Sequence, residues 1–195
     1  MIEVYPLFSR PIMKQSLNIE NVDLSSVIWG RNYNNSISQS QDVLSQPEFS
    51  VLKEECYRGL HEYFHNMMAV PNDVEIYITE SWFNKTDKNE VHHRHWHPNS
   101  LVSGIVYLTG ELGKGGDTTF ITSHYDTIEF DVKEANLYNS KSWSMPHTPG
   151  DMLLFPSNVE HLVDVYEGDT PRITLSFNTF VKGPISNQGL TRLTI

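Results

Sequence analysis

The chain has 195 residues, with 24 Asp and Glu against 14 Lys and Arg, for a formal net charge of -10 at pH 7. That length fits one ordinary domain that buries its core without staples, and acidic residues spread along a chain lacking a Lys/Arg cluster argue against a nucleic-acid partner. Cys56 is the only cysteine, no apolar run approaches membrane-spanning length, and Pro6 and Pro11 break the opening "MIEVYPLFSRP", so the expectation is a soluble cytoplasmic protein with no internal disulfide and no membrane contact.

In chain order, "IEVYPLFSRPIM" carries β-branched and aromatic residues around two prolines and suits a short edge strand. Residues 14–45 are rich in Ser, Asn and Gln and predict little regular structure. From about Pro47 to Met68, Phe49, Leu52, Cys56, Leu60, Tyr63, Phe64 and Met67 recur at three- and four-residue spacing, which predicts a helix with one core-facing stripe. Ser45 with Glu48 fits a capping box at its start, and Pro71 marks its stop. The pattern then changes to short β-like runs, "VEIYITESWF", "LVSGIVYLTG", "DTTFIT", "DTIEFDV", "DMLLFP" and "RITLSFNTFV", separated by Gly, Pro, Asn and Asp. One helix ahead of many strands predicts a mainly β fold, a sandwich or barrel with a helical buttress. We read 1–195 as a single domain, with the buttress at about 45–70 and the barrel at about 74–182. The polar and aromatic stretch 123–150 is a lid, a substrate loop or a decorated hairpin, and His147 within it reads as a turn residue.

The segment "HHRHWHPNS", residues 92–100, holds four of the nine histidines. On an extended strand His93, His95 and His97 share one face, while His92, Arg94 and Trp96 take the other. A period of two thus delivers neighbouring imidazoles to one metal ion, for which imidazole is a common ligand. Downstream, "PGDMLLFPSNVEHLV" places His161 after an apolar strand and a turn, where a sheet folding back adds a third ligand. Arg172 then opens "RITLSFN", where Arg172, Thr174, Ser176 and Asn178 share one face. An arginine in line with hydroxyls and an amide suits an inward face that holds a carboxylate, although any of the 24 acidic residues could pair with it.

Together these residues resemble the 2-oxoglutarate- and Fe(II)-dependent oxygenases, whose fold is a double-stranded β-helix of jelly-roll, cupin-like type. The matching elements are "HWH" at 95–97, "GIVYLTG" at 104–110, "GGDTTF" at 115–120, His161 and Arg172. The ordered set "ESWFN", "HWHPNSLVSGIVYL", "PGDMLLFPSNVEH" and "RITLSFN" is similar to a small branch of that superfamily over residues 80–178. The resemblance implies a dioxygenase that takes Fe(II) and 2-oxoglutarate, hydroxylates an unidentified small molecule or protein side chain with O2, and releases succinate and CO2. It makes His95 and His161 iron ligands and gives the distal carboxylate of 2-oxoglutarate to Arg172, supported by Tyr107 and Thr174. Trp82 and Asn178 are expected to line the pocket.

The superfamily's carboxylate ligand falls where this chain has His97. Either His95, His97 and His161 form a three-histidine centre, or a carboxylate such as Asp117 substitutes; strand alternation ranks His97 first. A shift to His93 and His95 also stays open. The runner-up is a three-histidine, cupin-type dioxygenase that does not use 2-oxoglutarate, since Gly150, Pro156 and His161 satisfy the later cupin spacing. A non-catalytic metal- or sugar-binding β-barrel is the remaining class, and a homodimer is compatible with any of them. The 2-oxo acid reading needs Arg172 inside the pocket, and the others do not.

Overall fold

The computed structural model describes residues 1–18, 22–122, 128, 130–185 and 193–195. Besides a two-residue C-terminal pair, Pro184–Ile185 with Leu193–Thr194, its strands are β1 (Met13–Ser16), β2 (Trp29–Arg31), β3 (Ser36–Ser38), β4 (Glu75–Thr86), β5 (His92–His95), β6 (Val102–Tyr107), β7 (Thr118–Ile121), β8 (Ser142–Met145), β9 (Asp151–Pro156), β10 (Glu160–Val163) and β11 (Arg172–Lys182). Two antiparallel sheets hold them, one in the order β1-β9-β6-β11-β4-β3-β2 and a smaller one in the order β5-β10-β7-β8. This is the expected mainly β architecture, a double-stranded β-helix.

Alternation along the central strands builds two cores. Val106 of β6, with Met152 and Leu154 of β9 and Leu175 and Phe177 of β11, packs on the helical side. Ile105 and Tyr107, with Leu153 and Phe155, point between the sheets. Both faces are therefore covered, which is why all six residues of β6 are buried and why its second half, Ile105–Tyr107, reads as an unbroken apolar run. Gly104 makes room for the ring that crosses it: a Cβ there would fall 2.1 Å from Phe177 Cζ.

The helix α1 (Ser50–His61) lies against the large sheet and contributes Leu52, Cys56 and Leu60 to the core. The expected single helix is divided: Pro47–Phe49 is a 3-10 turn and Glu62–Met67 a π-helical turn. The wider turn keeps Tyr63 and Phe64 buried. Ala69, at φ 54°, ends the run ahead of Pro71. No capping box forms, because the Ser45 hydroxyl donates to Asp42 and the Glu48 carboxylate accepts from Ser26.

Two further expectations are corrected. The N-terminal edge strand begins only at Met13, after the prolines that cannot donate to a ladder, and pairs with β9. Residues 14–45 contain the β2–β3 hairpin, whose short polar strands carry no apolar alternation to reveal them. Of the β-like run at 126–132, Asp126, Thr127 and Glu129 lie outside the described residues and the other four form no strand, while β8, within the 123–150 stretch, adds an outer strand beside β7.

Candidate metal centre and adjoining clefts

β5 and β10 run antiparallel with His161 opposite His95. Past the end of β5, the His97 backbone N–H donates to Ser157 O at 3.0 Å, which returns that imidazole to the same site. Ring centroids lie 4.3 Å apart for His95–His161, 5.1 Å for His95–His97 and 5.2 Å for His97–His161. One ring nitrogen from each of the three falls within 4.8 Å of the others.

The other histidines depart from simple alternation. His161 faces His95 but Val163 faces His92, so His93 and Arg94 of β5 together oppose the single residue Leu162 of β10. This bulge turns His92 onto the side of His95, where the two rings stack at 4.6 Å and 17°. His92 thus lines the deep cavity that a strict period of two denied it. His92, His93 and His95 form a second grouping with nitrogens within 4.8 Å, although His93 is exposed.

The hydrogen bonds behind the rings select their tautomers. His95 Nδ1 lies 2.8 Å from His93 O, and His161 Nδ1 lies 3.1 Å from Val159 O. His97 Nδ1 lies 2.6 Å from Asn178 Oδ1, which also accepts from the Ser103 hydroxyl, while Asn178 Nδ2 donates to Glu80 Oε1 at 2.7 Å. Carbonyl oxygens only accept, so each Nδ1 carries the proton and each Nε2 keeps a lone pair free for a metal. The His97 Nε2 is buried with no partner. Burial first, and the neighbouring imidazoles second, push His161 down to about 2 and His97 down to about 4. Burial also lowers His95. His92 is pushed down to about 3 by burial and then by His95 and His93. Neutral imidazoles are the form that binds metal.

From this centre a narrow cavity runs to Arg172, lined also by Asn84, Thr174 and Ser176 and by the apolar Ile105 and Val163. Arg172 is 2% exposed, and its Nε and one terminal nitrogen have no hydrogen-bond partner. Its guanidinium lies 5.3 Å over the Tyr107 ring, whose hydroxyl donates to Thr118 at 2.8 Å. Gly116, at φ +72°, closes over the stem: a Cβ there would meet Arg172 Cδ at 2.9 Å. Among the described residues no ion pair forms on Arg172. A buried cation with unsatisfied donors is costly, and a carboxylate entering the cavity removes that cost. The donor sets therefore fit both a metal and a carboxylate-bearing cosubstrate.

The remaining expected residues separate. Asp117 accepts from the His147 backbone N–H at 3.3 Å and lies 3.5 Å from that imidazole; among the described residues neither histidine grouping includes a carboxylate. Asn178 braces His97 and lines the outer cleft, and it is absent from the lining of the Arg172 cavity. Trp82 stacks on His97 at 5.8 Å and lines both spaces. Two residues escaped the sequence reading. Asn84 shares the face of Trp82 two residues earlier, so alternation along "ESWFN" could have found it, whereas the bulge that recruits His92 leaves no trace in composition.

The sequence profile of the family described as "Putative 2OG-Fe(II) oxygenase" matches residues 80–178. No curated protein matches the chain by sequence. Among solved structures it is similar to HygX from Streptomyces hygroscopicus, crystallised with nickel, 2-oxoglutarate and hygromycin B (12% identity, TM-score 0.60, 87% of this chain and 82% of that one). It is also similar to a Pseudomonas putida prolyl-4-hydroxylase (14%, 0.56, 87% and 93%) and to the α-ketoglutarate-dependent epimerase SnoN of nogalamycin biosynthesis (12%, 0.56, 80% and 68%). At these identities the likeness establishes the double-stranded β-helix. The profile match spans about half of the chain, from Glu80 to Asn178, and takes in the histidine strand, His161 and Arg172: the protein belongs to the 2OG-Fe(II) oxygenase family, enzymes that use Fe(II) and 2-oxoglutarate.

Proposed function

We propose that the protein is a dioxygenase that hydroxylates an organic substrate in the cytoplasm, with His95, His97 and His161 holding iron and Arg172 holding the far carboxylate of 2-oxoglutarate. The observation that carries this reading is the pairing of three inward imidazole nitrogens with a buried guanidinium, two of whose nitrogens lack a partner, in one cavity. Bound there, iron supplies O2 activation coupled to oxidative decarboxylation, so that one oxygen atom enters a substrate C–H bond and the other enters succinate as CO2 leaves.

The chain's own residues bind, orient and exclude water. Arg172 offers a fork of donors to a carboxylate, which fixes one end of the cosubstrate and thereby the direction of the other. Tyr107 supports the guanidinium with its ring face, and the Thr174 hydroxyl lies in the same lining. Asn178, held by Ser103 and Glu80, fixes the His97 ring and its tautomer. Three neutral ligands leave the site one negative charge short of the usual triad of two histidines and a carboxylate, so metal is held less tightly against acid and chelators. A cupin-type reaction without 2-oxoglutarate gives Arg172 no task, which counts against that alternative.

The test is anaerobic loading with Fe(II), followed by calorimetric titration with 2-oxoglutarate and assay of succinate in air. Wild type should bind one iron and one 2-oxoglutarate, and a His95→Ala/His161→Ala double variant should bind no iron. Undiminished iron in the double variant overturns the ligand assignment, and a wild type without affinity for 2-oxoglutarate overturns the oxygenase reading.

A further inference from the structure

β4 and β11 pair along their length, and the register turns their inward faces into a ladder: Thr86 opposite Arg172, Asn84 opposite Thr174, Trp82 opposite Ser176 and Glu80 opposite Asn178. From Thr86 to Glu80 the strand runs roughly 20 Å at about 3.3 Å per residue. The ladder begins at a buried cation and ends at a carboxylate, with the histidine cluster alongside its middle. Beyond the histidines the site opens into a cleft of about 600 Å3, which shares Trp82, Asn84, His92, His95 and His97 with the Arg172 cavity. The two spaces are opposite in charge.

The lining of the open cleft is specific in kind. Its one carboxylate is Glu80, and no Lys or Arg is present among the described residues that form it. Glu80 accepts from Asn178 through Oε1, and among the described residues no cation pairs with it. Two indoles, Trp82 and the 55% exposed Trp96, line the same cleft, with the amides of Asn32, Gln41 and Asn99 around them. A carboxylate and two indoles in the lining of one cleft favour an ammonium ion, through charge pairing and cation–π attraction, and disfavour an anion.

We infer that the open cleft takes a substrate bearing a primary alkylammonium group, held at Glu80 and the Trp82 and Trp96 indoles while a carbon of the same molecule faces the histidine centre. The inference rests on the oxygenase reading and adds to it the chemical class of the substrate. The charge pattern explains how one channel keeps two small ligands apart: the dianionic cosubstrate passes the mouth and settles on Arg172, and the cationic substrate stays outside on Glu80. An ammonium has two sources, a lysyl side chain or a free amine such as an amino sugar, and the polar rim of amides accommodates either.

The experiment uses Zn(II)-substituted protein saturated with 2-oxoglutarate and reads ligand binding by saturation-transfer NMR. The probes are Nα-acetyl-lysine methylamide and glucosamine, each beside its N-acetylated counterpart. At least one amine should bind about tenfold more tightly than its acetylated form. Glu80→Gln, whose amide oxygen still accepts from Asn178, should remove that preference, and Trp96→Ala should weaken it several-fold. Binding of the lysyl probe alone supports a side-chain substrate, and binding of glucosamine alone supports a small molecule. Equal binding of amine and acetylated forms, no binding of either amine, or an undiminished preference in Glu80→Gln overturns the inference. A calorimetric 2-oxoglutarate titration of the same sample separates the causes: if the cosubstrate binds while the amines fail, the oxygenase reading stands without this inference, and if it does not bind, both fall.

Discussion

β9 and β5 are both short strands, six and four residues long, and they are specified in different ways. β9 lies inside the large sheet between β1 and β6, its register with β6 is regular from Met152 to Phe155, and Met152, Leu153, Leu154 and Phe155 are all 0% exposed. β5 is the edge of the small sheet, pairs on one side only, and carries a bulge among polar residues. The apolar pattern dictates the first, because slipping by one residue would exchange two packed faces. The second is set by individual hydrogen bonds, and it carries the chemistry. Stability and function should therefore respond to different substitutions.

The largest effect should come from the packed sheet. Phe177 is 0% exposed in the core and crosses Gly104, so Phe177→Ala should cost about 3–5 kcal/mol in denaturant unfolding. A loss under about 1 kcal/mol would remove the distinction between the two regions. Next comes the buried cation. Arg172→Ala should weaken 2-oxoglutarate binding at least about tenfold by calorimetry. Arg172→Met, which fills similar space without an unpaired charge, should leave the metal- and cosubstrate-free protein at least as stable as wild type. Marked destabilisation by the methionine would mean that Arg172 is structural.

Acid should act selectively on the histidine region. His97 and His161 are pushed from 6.5 down to about 4 and about 2, by burial first and by the neighbouring His95 second. The unfolded chain therefore takes up protons first as pH falls, so stability of the metal-free protein is full above about 6.5 and is lost progressively toward the folded values. Unfolding free energy should drop between pH 7.5 and pH 5, and His161→Gln should reduce that slope; a flat profile would contradict the buried, neutral state of these rings.

What was legible in the sequence follows the same division. The central strands stood out because "GIVYL", "DMLLFP" and "LSF" are apolar runs with one register each, and α1 because Leu52, Cys56 and Leu60 keep helical spacing. His95, His97, His161 and Arg172 were visible because family order reinforced their spacing. The β2–β3 hairpin was hidden by polar composition, the π-helical turn by a spacing that fits either helix, and His92 by a bulge that belongs to pairing with β10 rather than to its own segment. The place of Asn178 was half legible: alternation put it on the inward face, but only the fold brings His97 against its oxygen.

The smallest effect should come from Asp117. It sits beside His147 and away from the histidine groupings, so Asp117→Ala should leave iron stoichiometry unchanged, while His97→Ala lowers iron affinity. The reverse order, measured by anaerobic dialysis, would restore a carboxylate to the ligand set.

The most direct test of the account is a crystal structure of the Mn(II)-loaded protein with N-oxalylglycine, read in the manganese anomalous-difference map. One peak bonded to the Nε2 atoms of His95, His97 and His161, with the inhibitor's far carboxylate on Arg172, is the predicted result. A peak on His92, His93 and His95 or on Asp117, or an inhibitor that leaves the Arg172 donors unpaired, would contradict it.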